Sequence, residues 1–110
     1  MRTTETEIAA DPPDMHVDAL KRLTLDIDGP GTAFVEFYLF GAVVIVTHTE
    51  VDISHRGKGL GSVAASAALQ HFRSNHWNVV PVCGFFLQHL RQHTEYAELL
   101  TPACRRIFAV

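Results

Sequence analysis

The hydrophobic pattern along the chain switches from alternating to helical spacing near residue 60. Residues 23–27, LTLDI, alternate apolar and polar positions, the period of a half-buried strand. DGPG at 28–31 is a turn signal, and AFVEFYLF at 33–40 is rich in the aromatic and branched residues that favour strands. Gly41-Ala42 fits a tight hairpin with glycine at its first central position. VVIVTHTEV at 43–51 predicts a third strand, continuously apolar in its first half like a central strand covered on both faces. Leu60, Val63, Ala64, Ala67, Ala68 and Phe72 then fall on one stripe of an amphipathic helix. Its small residues let it lie close on a sheet.

SNHWN at 74–78 ends that helix, and VVPV at 79–82 reads as a short strand. A strand–helix–strand unit of this length predicts a right-handed crossover between parallel strands. Residues 84–93 and 95–100 read as two short helical segments. Thr101-Pro102 predicts a last helical turn, with Thr as cap and Pro at the first position. The fold class is therefore α/β (α+β), a mixed, mainly antiparallel sheet with one crossover helix and a helical C-terminus.

A length of 110 residues fits one small domain. The first residues are polar, Thr/Glu-rich and lead into Pro12-Pro13, so a flexible tail is expected over 1–18 and one domain over 19–110. An apolar fraction of 47% with 19% charged residues describes a globular chain. The net charge of -3 argues against a nucleic-acid partner. Basic residues concentrate at 55–58 and 105–106, which favours a small anionic ligand. Cys83 and Cys104 form no CxxC pair and read as free thiols in a reducing compartment. The N-terminus has no apolar signal-peptide core, and the longest aliphatic run, Ala42–Val46, is too short to cross a membrane. A cytoplasmic protein without a membrane partner is expected.

The chemistry concentrates between the third strand and the helix. Arg56-Gly57-Lys58-Gly59-Leu60-Gly61 places main-chain N–H groups at a helix N-terminus, where unpaired donors and the positive end of the helix dipole attract anions. Glycine lets a ligand approach where a Cβ would block it. Arg56 and Lys58 add charge, and Ser62 adds a hydroxyl. A P-loop, GxxxxGK[ST], is absent. The dinucleotide fingerprint GxGxxG does not match, because position 64 is Ala and no acidic residue occurs in HFRSNHWNVV, about 20 residues on. What remains is R-x-x-G-x-G after a strand and opening a helix.

That motif resembles the acyl-CoA-binding signature of the GNAT superfamily of N-acetyltransferases. HTEVDISHRGKGLGS at 48–62, followed by VVPVCGFFLQHLRQHTEY at 79–96, is similar to the minimal GNAT-like branch, chains of about a hundred residues without the full acceptor-binding half. The resemblance spans roughly residues 23–100. It implies that amides from Arg56 to Gly61 hold the pyrophosphate of acetyl-CoA or coenzyme A. It also implies that the main chain of Val51 engages the pantetheine or the thioester carbonyl. The third strand and the 79–82 strand should splay apart to admit the pantetheine arm, with Cys83 near the thioester. The branch usually has proline after this cysteine and in an H-P-E-Y segment. Here those positions are Gly84 and Thr94, which bears on the acceptor side.

Other residues carry open readings. Cys83 is a nucleophile, an orienting thiol or a small buried hydrophobe. His48 and Glu50 share one strand face by the two-residue period. They either remove a proton from an amine acceptor or order the sheet edge. Tyr96 protonates a leaving thiolate in the sharper reading, and anchors the last helix in the favoured one. His89 and His93 sit at i, i+4 without a third ligand at metal spacing, so no metal is expected and a solvated helix face is the reading. Trp77 and Phe85-Phe86 read as core. Two functions follow: an acetyl-CoA-dependent N-acyltransferase acting on a small amine or a protein lysine, or a coenzyme A-binding module or sensor without efficient catalysis. A monomer and a homodimer both remain open.

Overall fold

In the computed structural model of the protein, residues 20–26 and 29–110 are described, and the expected tail over 1–18 lies outside them. The element order is β1 (Lys21–Leu25), β2 (Ala33–Phe40), β3 (Val43–Val51), α1 (Leu60–Ser74), β4 (Asn78–Pro81), α2 (Gly84–Gln92) and α3 (Pro102–Phe108). Short 3-10 turns occupy Ile53–His55 and Thr94–Leu99. The four strands form one sheet in the order β1-β2-β3-β4, antiparallel except for the parallel β3–β4 pair. No helix among the described residues is long and apolar enough to cross a membrane.

Local chemistry explains the boundaries. Gly41, at φ 62, turns β2 into β3 through a two-residue link that a Cβ would strain. α1 stops at Asn75, whose amide reaches back to the His71 and Phe72 carbonyls, and His76 takes a left-handed φ of 59. Thr101 caps α3 by accepting from the Cys104 amide, with Pro102 next in line.

One face of the sheet carries the core. Ala33, Val35, Phe37, Val44, Val46 and Val79 are buried there against Ala64, Ala65, Ala68, Leu69 and Phe72 of α1 and Phe86 and Leu90 of α2. The Phe72 ring meets Phe37 at 5.1 Å and Phe86 at 6.5 Å, so both helices lie on that face. The stripe on α1 is rotated from the expected one: Ala65 and Leu69 are buried, whereas Val63 is 47% exposed and Ala67 only partly covered. The cause is α2, which flanks α1 and takes the side carrying Ser62 and Ser66.

The expectation that β3 is covered on both faces does not hold for the described residues. Val43 and Ile45 point away from the helices and are only partly shielded, by their sheet neighbours Phe40, Tyr38 and Val80. The apolar run in β3 therefore serves two unlike faces: Val44 and Val46 under helices, Val43 and Ile45 on the face that no described helix covers.

Candidate functional site

β3 and β4 pair only from Val43↔Asn78 to Val46↔Pro81. The amides of Val82 and Cys83 then both donate to the Val46 carbonyl, at 3.0 and 2.9 Å, and the chain turns into α2. β4 ends at Pro81, and Thr47 to Val51 continue beside β2 with no described strand on their other edge, which forms the opening beside β3.

A β-bulge shapes the opening. Val46 pairs with Phe37 and His48 with Glu36, leaving Thr47 as the extra residue, its hydroxyl donating to the Glu36 carbonyl at 3.3 Å. The extra residue reverses the alternation. Thr49 and Val51 pair with Val35 and Ala33 on the helix face, while His48 and Glu50 stand on the face that no described helix covers. The backbone reverses too. The Asp52 amide donates to Thr32 on the β2 side at 2.8 Å, so the N–H and C=O groups of Thr49 and Val51 point into the opening. The Val51 carbonyl accepts there from Arg56 Nε at 3.4 Å.

The glycine turn sits beside this opening. Asp52 caps the Ile53–His55 turn, accepting from the Ser54 amide at 3.2 Å and from the Ser54 hydroxyl, with His55 Nδ1 3.4 Å away. Those Ser54 bonds, with a smaller contribution from His55, hold the Asp52 carboxyl below its ordinary value. Gly57 and Gly59 have φ of 83 and 74 with open space where a Cβ would project. Gly59 is the N-cap of α1, so the amides of Leu60, Gly61 and Ser62 precede the first helical bond, Val63 N to Gly59 O. A cavity of about 280 Å³ lies against these residues, with Val51, Arg56, Ser62 and Phe85 in its walls. Lys58, between Gly57 and Gly59, is exposed.

The three glycines thus answer to different causes. Gly57 and Gly59 are required by backbone conformation. At Gly61 a Cβ would come within 2.8 Å of the Phe85 ring, so this glycine lets a side chain of α2 close over the start of α1. Phe85, read from sequence as core, is instead 47% exposed; its neighbour Phe86 is fully buried. The three-residue spacing from Phe86 to His89, followed by Leu90, sets the buried stripe of α2 and leaves Phe85 at its margin.

Cys83 is the N-cap of α2, partly buried, with its Sγ 3.7 Å from the Thr49 hydroxyl. His48 Nε2 lies 2.9 Å from Glu50 Oε1, and both side chains are about half exposed. Thr49 faces the helices and the His48–Glu50 pair faces away, so β3 itself separates the thiol from the pair. Tyr96 is buried; its hydroxyl accepts from Gln70 Nε2 at 3.3 Å and Arg73 stacks over its ring, which makes it an anchor of the helical C-terminus. Trp77 packs edge-on to His71 and beside Phe72 at the rim of the core.

His89 corrects the sequence reading of a solvated histidine pair. It is 2% exposed, and its Nδ1 and Nε2 meet the hydroxyls of Ser62 and Ser66 at 3.1 and 3.0 Å. His93 stacks on it at 4.0 Å and donates from Nδ1 to the His89 carbonyl. Burial, reinforced by His93, holds His89 below the ordinary imidazole value. The signal was present in sequence, since His89 falls between Phe86 and Leu90 on the apolar stripe of α2. Among the described residues no cluster of three or more His, Cys, Asp or Glu could hold a metal ion.

Two comparisons accord with this geometry. The NMR solution structure of a Staphylococcus aureus protein classed as a GCN5-like N-acetyltransferase superposes with a TM-score of 0.57 at 17% identity, covering 82% of this chain and 91% of that one. The likeness is one of fold. A family model described as GCN5-related N-acetyl-transferase matches residues 22–99, which takes in the split strands, the glycine turn and the helix that follows Cys83. With most of its length accounted for in this way, the chain belongs to the GCN5-related N-acetyltransferase family.

Proposed function

We propose that this protein transfers an acetyl group from acetyl-CoA to an amine. Enzymes of the family generally use acetyl-CoA as co-substrate and an amine as acceptor. The observation that carries the reading is the cavity over the glycine turn, walled also by Val51, beside the edge of β3 that the end of β4 leaves open. The residues fit an acyl-CoA. Left-handed Gly57 and Gly59 leave open space, the helix amides of Leu60, Gly61 and Ser62 are free of helical partners, and Arg56 and Lys58 add positive charge.

In this reading the turn from Arg56 to Ser62 binds the pyrophosphate. The Val51 and Thr49 N–H groups align the pantetheine arm and polarise the thioester carbonyl as charge develops on its oxygen. The acceptor comes from the bare face of the sheet, where Glu50 and His48 stand. Its nitrogen attacks the carbonyl carbon, the C–S bond breaks, and the amine proton passes to the Glu50–His48 pair while the thiolate leaves as coenzyme A. Cys83, at the N-cap of α2, would lie near the thioester. Direct transfer is favoured over an acetyl-Cys83 intermediate because the thiol, packed against the core beside the Thr49 hydroxyl, lies across β3 from the base pair.

A second reading, a coenzyme A-binding module without efficient catalysis, is favoured by the bare sheet face, on which no described element stands over Glu50 and His48. Calorimetry with acetyl-CoA, run beside a thiol-release assay over a panel of amines and lysine peptides, decides. Binding with amine-dependent release of coenzyme A is expected. Binding without release favours the module, and no heat of binding at millimolar ligand ends both readings.

A further inference from the structure

Resting on the acyl-CoA reading, we infer that His89 is a positioning residue that turns the Ser62 hydroxyl into a hydrogen-bond donor toward the anionic group held at the start of α1. Ser62 walls two spaces at once. One is the cavity over the glycine turn, and the other is a groove of about 370 Å³ between α1 and α2, where Ser66, Gln70, His89 and His93 also lie. Its partner in this arrangement is fixed. His89 is buried, clamped by Ser62 and Ser66 at its two nitrogens and stacked on His93.

A neutral imidazole carries one N–H donor and one acceptor nitrogen, so the two serines cannot play the same role. If Nε2 carries the hydrogen, Nδ1 accepts the Ser62 proton, and only lone pairs of that hydroxyl face the cavity, which repels an anion. If Nδ1 carries it, Ser62 accepts from the ring and its own proton is free for a phosphate oxygen. Ser66 then donates to Nε2, and that partly buried hydroxyl keeps an acceptor for its proton. Anion binding at the turn therefore selects the Nδ1–H tautomer. The groups around the ring keep it neutral near pH 7. α1 presents only the uncharged Ser62, Ser66 and Gln70, His93 stacks from the end of α2, and the one opposing influence is Glu95 from the following turn.

The test is long-range ¹H–¹⁵N correlation spectroscopy on histidine-labelled protein, without ligand and saturated with coenzyme A. Coenzyme A is expected to place His89 in the Nδ1–H form. Ser62→Ala should weaken coenzyme A binding about tenfold, the loss of one hydrogen bond to a charged group. His89→Phe, which keeps a stacking ring, should add less than a further twofold on the Ser62→Ala background, since the histidine acts through that serine. An Nε2–H His89 in the saturated protein overturns the inference, as does unchanged affinity of Ser62→Ala. Either result leaves the acyl-CoA reading standing. Failure of the wild-type protein to bind coenzyme A removes both.

Discussion

The contact between Gly61 and Phe85 yields a prediction whose sign depends on one ring. Gly61 has no left-handed conformation to protect, and it lies in the first turn of α1. Alanine there should gain up to about 1 kcal/mol from helix propensity. The new Cβ, however, would sit 2.8 Å from Phe85 Cζ and 3.2 Å from Cε2, the far end of a ring that is already 47% exposed. The ring can swing outward. It then forfeits what contact it has, at most roughly half of the 1.5–3 kcal/mol that a fully buried Phe contributes, or about 1 kcal/mol. The two effects nearly cancel, so Gly61→Ala should leave stability within about 1 kcal/mol of wild type. In a Phe85→Ala background the opposing effect is gone and Gly61→Ala should stabilise by about 0.5–1 kcal/mol, raising the melting temperature by roughly 2–8 °C for a domain of this size. The cycle of four proteins, measured by urea denaturation, should thus show a coupling of about 1 kcal/mol between the sites. A coupling below about 0.3 kcal/mol would refute the assignment of Gly61 to ring packing. Gly59→Ala is the control. At φ 74 it should cost about 1–2 kcal/mol whether or not Phe85 is present.

Three further outcomes follow from the site. Glu50→Gln should lower kcat about a hundredfold while leaving coenzyme A affinity unchanged by calorimetry, because in the proposed reaction the carboxylate faces the acceptor; a parallel loss of affinity would place it elsewhere. Cys83→Ala should keep activity within about tenfold of wild type, and mass spectrometry of protein incubated with acetyl-CoA should find no acetyl thioester at Cys83. Stability should fall on acidification from pH 7 through 6.5. His89 binds a proton less readily folded than unfolded, so the unfolded chain gains protons first; above its unfolded value near 6.5 the contribution is complete, and it is lost as the pH falls toward the lower folded value. His89→Phe should flatten that part of the urea-midpoint profile, and an unaltered slope would show that another group sets it.

Much of the fold was legible because local and tertiary preferences agree. Gly41-Ala42, the strand-to-helix switch at 60 and the Thr101-Pro102 cap each have a local cause that the tertiary structure leaves undisturbed. The burial of α1 was legible only in part. Leu60, Ala64, Ala68 and Phe72 lie on any apolar stripe drawn through the helix, but whether Val63 or Leu69 joins them depends on where α2 docks, and sequence spacing on α1 carries no trace of that. His89 shows the same limit from the other side. Two helical histidines four apart resemble a solvated face, and the serines that bury one of them lie 27 and 23 residues away. For the glycines the motif located the turn correctly, but the reason for each residue needed φ values and a neighbouring ring.

The bulge at Thr47 is the least legible feature and the one on which the candidate site turns. Strict alternation from Val44 and Val46 would carry His48 and Glu50 onto the helix face, where two half-exposed polar groups would instead have to be desolvated under α1 and α2. It would also turn the backbone of Thr49 and Val51 toward β2. The single extra residue corrects both at once, because side-chain direction and hydrogen-bonding direction alternate together along a strand. It lies one residue beyond Val46, whose carbonyl is already spent on the Val82 and Cys83 amides. Ending the parallel pairing, aiming amides into the open edge and presenting the His48–Glu50 pair on the opposite face are therefore not three separate provisions. They are consequences of one insertion placed where β4 ends, and under the proposed acetyl transfer they would set the donor and acceptor sides on opposite faces of the same four residues, His48 to Val51.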